Sequence, residues 1–370
     1  MQTNRANARS DGARYLRLVI GIGRWAATLF LFIGAIQVLK TGAGELDILD
    51  AGGRFTASAL STLGLGWIGA MLTLSGSPAV ATALTLRATG AIGEVQAFTM
   101  VTGARMGAAF VVLLVAVLFA SRRAEGQRMA PISTAVMTLV ITATMYVPGA
   151  LIGLGILGWD SFKGVRLQSP PTFTGFLDAV YDPILSRIES WPPAILFVGG
   201  LVLLVVSFKL LDSMVPEFDE KRLSDSVMKR LRSKWPMFFL GIGIVIATLS
   251  VSVALTVLIP LVGKGYLKRE DLVPYIIGAD IGTLVDKLLI AFLVGAGTIN
   301  PASPVRVILA ELVGVTIMGL VIMGFIYIPF RRAIWRFQRQ MVRSKPRLAA
   351  FTGALFVIPI ALIVVGVVTT

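Results

Sequence analysis

The sequence predicts an all-α integral membrane protein of two inverted repeats, each with a re-entrant helical hairpin and an interrupted transmembrane helix, and about seven spans. Three observations predict it. Of the 370 residues 56% are apolar and the mean hydropathy is +0.83. Apolar runs reach the roughly 20 residues a helix needs to cross a bilayer. Lys and Arg collect in short loops between those runs. One broken apolar pattern occurs twice at a fixed offset.

Composition excludes much chemistry. The chain has no Cys and no His, so disulfides, thiol nucleophiles, imidazole metal ligands and Ser-His triads are ruled out. No nucleophile–base pair or metal cluster stands out, so the chain is not expected to be an enzyme and needs no cofactor. The formal charge of +14 follows the positive-inside pattern rather than a nucleic-acid footprint. Arg5, Arg9, Arg14, Arg17 and Arg24 open the chain without a small-residue cleavage site, which predicts a retained cytoplasmic end.

In order, residues 1–14 are a cytoplasmic tail and 15–39 the first span. Residues 42–62 carry Glu45, Asp47, Asp50 and Arg54 and read as an interfacial helix. Residues 63–86 are apolar but broken at Ser75-Gly76-Ser77-Pro78. Gly76 tolerates turn conformations and Pro78 lacks a backbone donor, which predicts a hairpin. Residues 95–120 span inward, followed by Arg122, Arg123 and Arg128, and 131–157 return. The first repeat is therefore 15–157, and 158–193 form a mixed-charge extracytoplasmic loop. The second repeat is 194–330. It holds a span at 194–211, a charged amphipathic stretch at 215–234, a broken apolar hairpin at 236–262, and spans at 272–294 and 304–330. Residues 331–347 hold seven basic and no acidic side chains and form a cytoplasmic interfacial segment facing anionic lipid. The last span, 348–370, ends outside.

With both hairpins re-entrant, every strongly basic short loop falls in the cytoplasm. With both spanning, 122–128 and 215–234 would lie outside, against the charge rule. The first hairpin then enters from outside and the second from inside, an inverted repeat suited to alternating access. The expected location is a bacterial inner membrane, N-terminus cytoplasmic and C-terminus outside.

The repeated pattern is Thr73-Leu74-Ser75-Gly76-Ser77 followed by Gly103-Ala104-Arg105-Met106-Gly107. It recurs 175 residues later as Thr248-Leu249-Ser250-Val251-Ser252 and Gly278-Ala279-Asp280-Ile281-Gly282, without a gap. Ten of the 35 aligned positions are identical. Interrupted apolar segments at matching places in two halves point to a transporter's binding site.

At these residues the chain resembles the sodium–phosphate cotransporter family, the type II group and its bacterial relatives. The family carries a Gln-Ser-Ser-Ser hairpin and a Gly-Ala-Asn-Ile-Gly-Thr-Thr helix break in each of two inverted repeats. Gly278 to Thr283 differs from that break only at Asp280 over these six residues. Residues 32–39 and 206–211 look like the family's opening helix in each repeat. The chain departs at Leu74 and Leu249 for Gln, Gly76 and Val251 for Ser, and Arg105 and Asp280 for Asn. The resemblance implies transport of a small, phosphate-like inorganic anion, with sodium or a proton as the coupling ion.

The candidate substrate-binding residues are Thr73, Ser75, Ser77, Thr248, Ser250, Ser252, Arg105, Gly103 and Gly278. Hydroxyls and helix N-termini at the hairpin tips favour an anion. The plainer reading is that the hydroxyls satisfy broken backbone and let helices approach. The candidate ion-coupling residues are Asp280, Thr283, Asp286 and Glu311, since an ionisable side chain within a span is costly and signals function. Arg306, near the outer end of its span, is expected to snorkel. Gly153-Leu154-Gly155-Ile156-Leu157-Gly158 has no strand before it and is no nucleotide loop. Arg105 and Asp280 hold equivalent places in the two copies with opposite charge, so a direct contact between them is expected. The alternative function is a non-transporting scaffold or accessory subunit that keeps the fold and has lost the site. Expected partners are the lipid bilayer and a small anion, with no nucleic acid. A homodimer and a larger membrane complex both stay open.

Overall fold

The computed structural model describes residues 2–44, 53–121, 129–159, 171–214, 233–248, 271–295 and 302–369, with Ala254, Leu255, Leu258 and Val262. The described residues are almost wholly helical. The helices are α1 Gln2–Gly44, α2 Ala59–Thr73, α3 Gly76–Ala88, α4 Glu94–Ser121, α5 Met129–Gly158, α6 Pro171–Ile188 and α7 Pro193–Met214. They continue as α8 Lys234–Thr248, α9 Leu272–Gly295, α10 Ala302–Gly324, α11 Tyr327–Val342 and α12 Lys345–Val368. By length and composition α1, α4, α5, α7, α10 and α12 can cross a membrane, so the chain is an integral membrane protein. The seventh expected span, α9, has 24 residues but carries Asp280, Asp286 and Lys287, and it is buried along most of its length. Its neighbours shield these charges from lipid.

The first apolar break lies where the sequence places it. α2 starts at a Ser58 cap whose hydroxyl accepts from the Leu60 amide. It ends at Leu74, a non-glycine residue at φ 54°. The Thr73 hydroxyl donates to Gly69 O and to Ser75 O, both at 2.9 Å, closing the break. α3 then leaves from Ser75. α8 is described as far as Thr248, and the second expected break lies beyond it, outside the described residues. Ser250 and Ser252 lie outside the described residues, as do 45–52 and most of 215–234. The interfacial helix expected over 42–62 is not formed as one element: α1 takes in its start to Gly44 and α2 its end from Ala59.

Three further expectations change. The stretches Gly103 to Gly107 and Gly278 to Gly282 do not interrupt their helices: α4 and α9 run straight through. These glycines serve close packing. A Cβ on Gly103 would stand 2.0 Å from Leu63 O, and one on Gly278 would stand 1.9 Å from Phe238 O. A Cβ on Gly66 would collide with Met100 O, and one on Gly241 with Tyr275 O. Gly107 packs on Trp67 and Gly282 on Ile242. Each α8–α9 contact repeats an α2–α4 contact 175 residues on. With no proline between the glycines, the helix keeps its hydrogen bonds and its cost in propensity is offset by helix approach. The second change concerns 158–193, expected as loop. It contains α6, whose Tyr181 donates to Phe30 O of α1 at 2.8 Å and lies over Gly34. α1 also begins at Gln2, so the expected tail is helical and continuous with the first span.

Contacts along the helices give their directions. α2 runs with α4, from the Thr62–Thr99 hydroxyl contact at 2.8 Å to Trp67 on Gly107. α4 opposes α5, with Phe98 on Gly153. α5 opposes α10, pairing Gly149 with Val315 and Gly153 with Ala310. α9 opposes α10, with Gly319 on Ile277 and Ile281. α8 runs with α9 and α12 opposes α2, placing Gly366 on Ser61 and Gly64 on Pro359.

Candidate functional site

α4 and α9 bring their central charges together. Arg105 and Asp280 form a direct ion pair, with side chains 2% and 0% exposed. The contact expected from their equivalent positions is present. Tyr146 of α5 completes it: its hydroxyl donates to Asp280 O at 3.3 Å and its ring lies 5.5 Å from the Arg105 guanidinium carbon. The pair leaves buried polar atoms over. Among the described residues, Arg105 Nε and Nη1 and Asp280 Oδ2 have no hydrogen-bond partner. A buried group left unsatisfied bears its full desolvation cost, so this cluster can accept a further polar group.

Glu311 of α10 is fully buried. Its Oε1 accepts from the Thr102 hydroxyl of α4 at 2.9 Å, and its Oε2 has no partner. Lys287 on α9 pairs with Asp286 beside it at 3.5 Å and is an electrostatic neighbour of Glu311 and Arg105. Three carboxylates and two cations thus share the interior of α4, α9 and α10. If all were ionised the group would carry one excess negative charge.

The hydroxyl candidates divide. Thr73, Thr248 and Thr283 each donate to the carbonyl four residues back, at 2.9, 2.8 and 2.7 Å. These bonds are what the plainer, backbone-satisfying reading expects. Ser75 caps α3 through its backbone position without a side-chain bond, and Ser77 is half-buried beside it. Between them, a Cβ on Gly76 would touch Ala108 at 3.1 Å and Ala104 O at 3.4 Å. The hairpin tip therefore rests on α4 on either side of Arg105. Gly103 and Gly278 sit at the close approach of α4 to α2 and of α9 to α8.

Sequence reasoning missed Thr102 and Tyr146. Hydroxyls are common in apolar helices and nothing in spacing marks these two. It also missed a second cluster. Glu94 at the start of α4 accepts from Ser303 at 3.0 Å and pairs with Arg306 at 3.2 Å and Arg87 at 3.7 Å. Arg306, expected to snorkel, is 15% exposed and pairs with Glu94. The cluster joins the end of α3 to the starts of α4 and α10.

Comparison with family models, with curated proteins and with solved structures finds no match to this chain.

Proposed function

We propose that the chain is a secondary transporter that moves a small, phosphate-like anion by alternating access, with two inverted repeats and re-entrant hairpins. The observation that carries it is the buried cluster of Arg105, Asp280, Asp286, Lys287 and Glu311 inside apolar helices. Charges at membrane depth are expensive and mark substrate or ion pathways. This cluster also keeps unpartnered donors and acceptors.

The hairpin reading has support in the helix directions. α2 begins beside the start of α4, through Gln96 on Ala57 O at 2.9 Å and Thr62 on Thr99. Its turn meets α4 at Ala104 and Ala108, about halfway along. α3 then returns to the same end, where Arg87 meets Glu94. A segment that enters and leaves at one end, turning at mid-depth, is re-entrant. α8 pairs with α9 as α2 pairs with α4, and α9 opposes α4. That fits inversion of the two halves.

A proton is the favoured coupling ion. One proton on Glu311 would cancel the cluster's excess negative charge. The Arg105 guanidinium, tethered to Asp280, stands as a fixed cation between the repeats, which leaves less call for sodium. Arg105 also offers the anion its two unpartnered nitrogens.

The test is uptake into reconstituted vesicles of labelled phosphate and a panel of small anions, under proton and sodium gradients separately. Expected is uptake of at least one anion driven by a proton gradient and little changed by sodium. No uptake of any anion under either gradient supports the scaffold reading instead.

A further inference from the structure

A cavity of about 720 Å³ is lined almost wholly by apolar groups. Its size is that of a small-molecule site. α11 covers it with one face, Phe330, Ala333, Ile334 and Phe337. The opposite face of the same helix carries Arg331, Arg332, Arg336 and Arg339. α11 is thus amphipathic, apolar toward the cavity and basic away from it, as for a helix in the headgroup layer. α12 forms a second wall with Phe351, Ala354, Leu355 and Ile358. Those positions make one helical stripe, and the next residue up that stripe is the exposed Arg347. The cavity opens sideways past Phe337 and Ile358, which are 37% and 44% exposed. At depth it reaches Trp67, Met106 and Thr142.

We propose that this cavity holds an acyl chain of an anionic phospholipid whose headgroup is bound by Arg347 and the neighbouring Arg343. An apolar wall below a cationic rim matches the two ends of such a lipid. Residues 343–347 carry three basic and no acidic side chains, so the rim selects an anionic headgroup over a zwitterionic one. The side opening faces the bilayer, where chains of the right chemistry are in excess. The site stands whether or not the chain carries an anion.

Trp67 reports occupancy directly. The other five tryptophans are replaced by Phe, and the protein is placed in nanodiscs of plain phosphatidylcholine. Phosphatidylglycerol or phosphatidylcholine with brominated chains is then titrated in, and Trp67 fluorescence is read. Expected is saturable quenching at much lower mole fraction for phosphatidylglycerol, by roughly fivefold for each arginine engaged. Arg343→Gln with Arg347→Gln should bring the two curves together. Ala354→Phe, which fills the cavity, should weaken quenching by both lipids. Should the five replacements prevent folding, native mass spectrometry of the unaltered protein gives a second reading. It should retain phosphatidylglycerol in preference to phosphatidylcholine, and lose that preference in the double Gln variant. Equal curves for the two lipids, indifference to Ala354→Phe, absence of quenching, or equal retention of both lipids would overturn the proposal.

Discussion

Arg105 and Asp280 are stable inside the bundle only as a pair. Removing one partner leaves a buried charge uncompensated, which costs about 3–5 kcal/mol. Arg105→Asn and Asp280→Asn should each lower the thermal midpoint in detergent by several degrees. The double Asn variant should recover much of the loss, since two amides can bond across the same gap. Equal additive damage would show that the contact contributes nothing beyond two separate environments. Glu311 makes a second test. Glu311→Gln keeps the Thr102 bond and removes the titrating group, so it should abolish the response of uptake to a proton gradient while leaving exchange of anion across the membrane. Loss of exchange as well would make Glu311 part of the anion site. Charged residues were legible in the sequence because each stands out against an apolar run. Tyr146 and Thr102 were not, because a hydroxyl in such a run usually bonds its own helix, as Thr283 does to Ala279. Only packing reveals which hydroxyl reaches a neighbour.

Glycine carries two opposite meanings in a membrane helix, and the elements here show why sequence alone chose the wrong one. It breaks helices through its freedom, and it lets helices touch through its lack of a side chain. The repeated Gly-x-x-x-Gly spacing of α4 and α9 suggests the first, but both helices are continuous and the glycines sit at close helix contacts. α2 and α4 approach so closely that a methyl group at Gly103 would collide with a backbone carbonyl. Gly103→Ala and Gly278→Ala should therefore each cost about 1–3 kcal/mol through forced separation of the helices. Gly155 in α5 and Gly243 in α8 have nothing within 4 Å of a built Cβ. Alanine there should be neutral or should stabilise by about 0.5–1 kcal/mol. Thermal unfolding of the four variants in one detergent checks the contrast. Similar behaviour of all four would remove the close-packed seam as an explanation of the repeat. The apolar break at Leu74 is legible because Gly76 and Pro78 follow it. α6 was not, because its charged and proline-containing stretch looks like loop until Tyr181 is seen against α1.

At the scale of the molecule, loop charge and helix contact are independent arguments that reach the same arrangement. Loop charge requires α4, α7 and α10 to run one way and α1, α5, α9 and α12 the other. Contacts put Glu94 of α4 beside Ser303 and Arg306 of α10, so those two helices begin at one end. Gly366 near the end of α12 and Ser61 at the start of α2 meet, as do the end of α1 at Gly42 and the start of α7 at Phe197. The opposite end holds the start of α5, where Ser133 bonds Gln338 of the basic α11, and Lys234 of α8, 4.9 Å from the Tyr327 ring. Contacts sort the ends but do not say which faces the cytoplasm; the positive-inside rule does that. The end with α11 carries the arginines, so it should be cytoplasmic. The native chain has no cysteine, which makes single introduced thiols unambiguous reporters. Arg123→Cys and Ser344→Cys should react with an impermeant thiol reagent only from the cytoplasmic side, and Thr172→Cys only from outside. Reaction of all three with sides exchanged would keep the bundle and invert its orientation. Reaction of residue 123 from outside, with 344 still cytoplasmic, would mean that the α2–α3 hairpin crosses the membrane, and the opposed entry of the two hairpins would be lost with it.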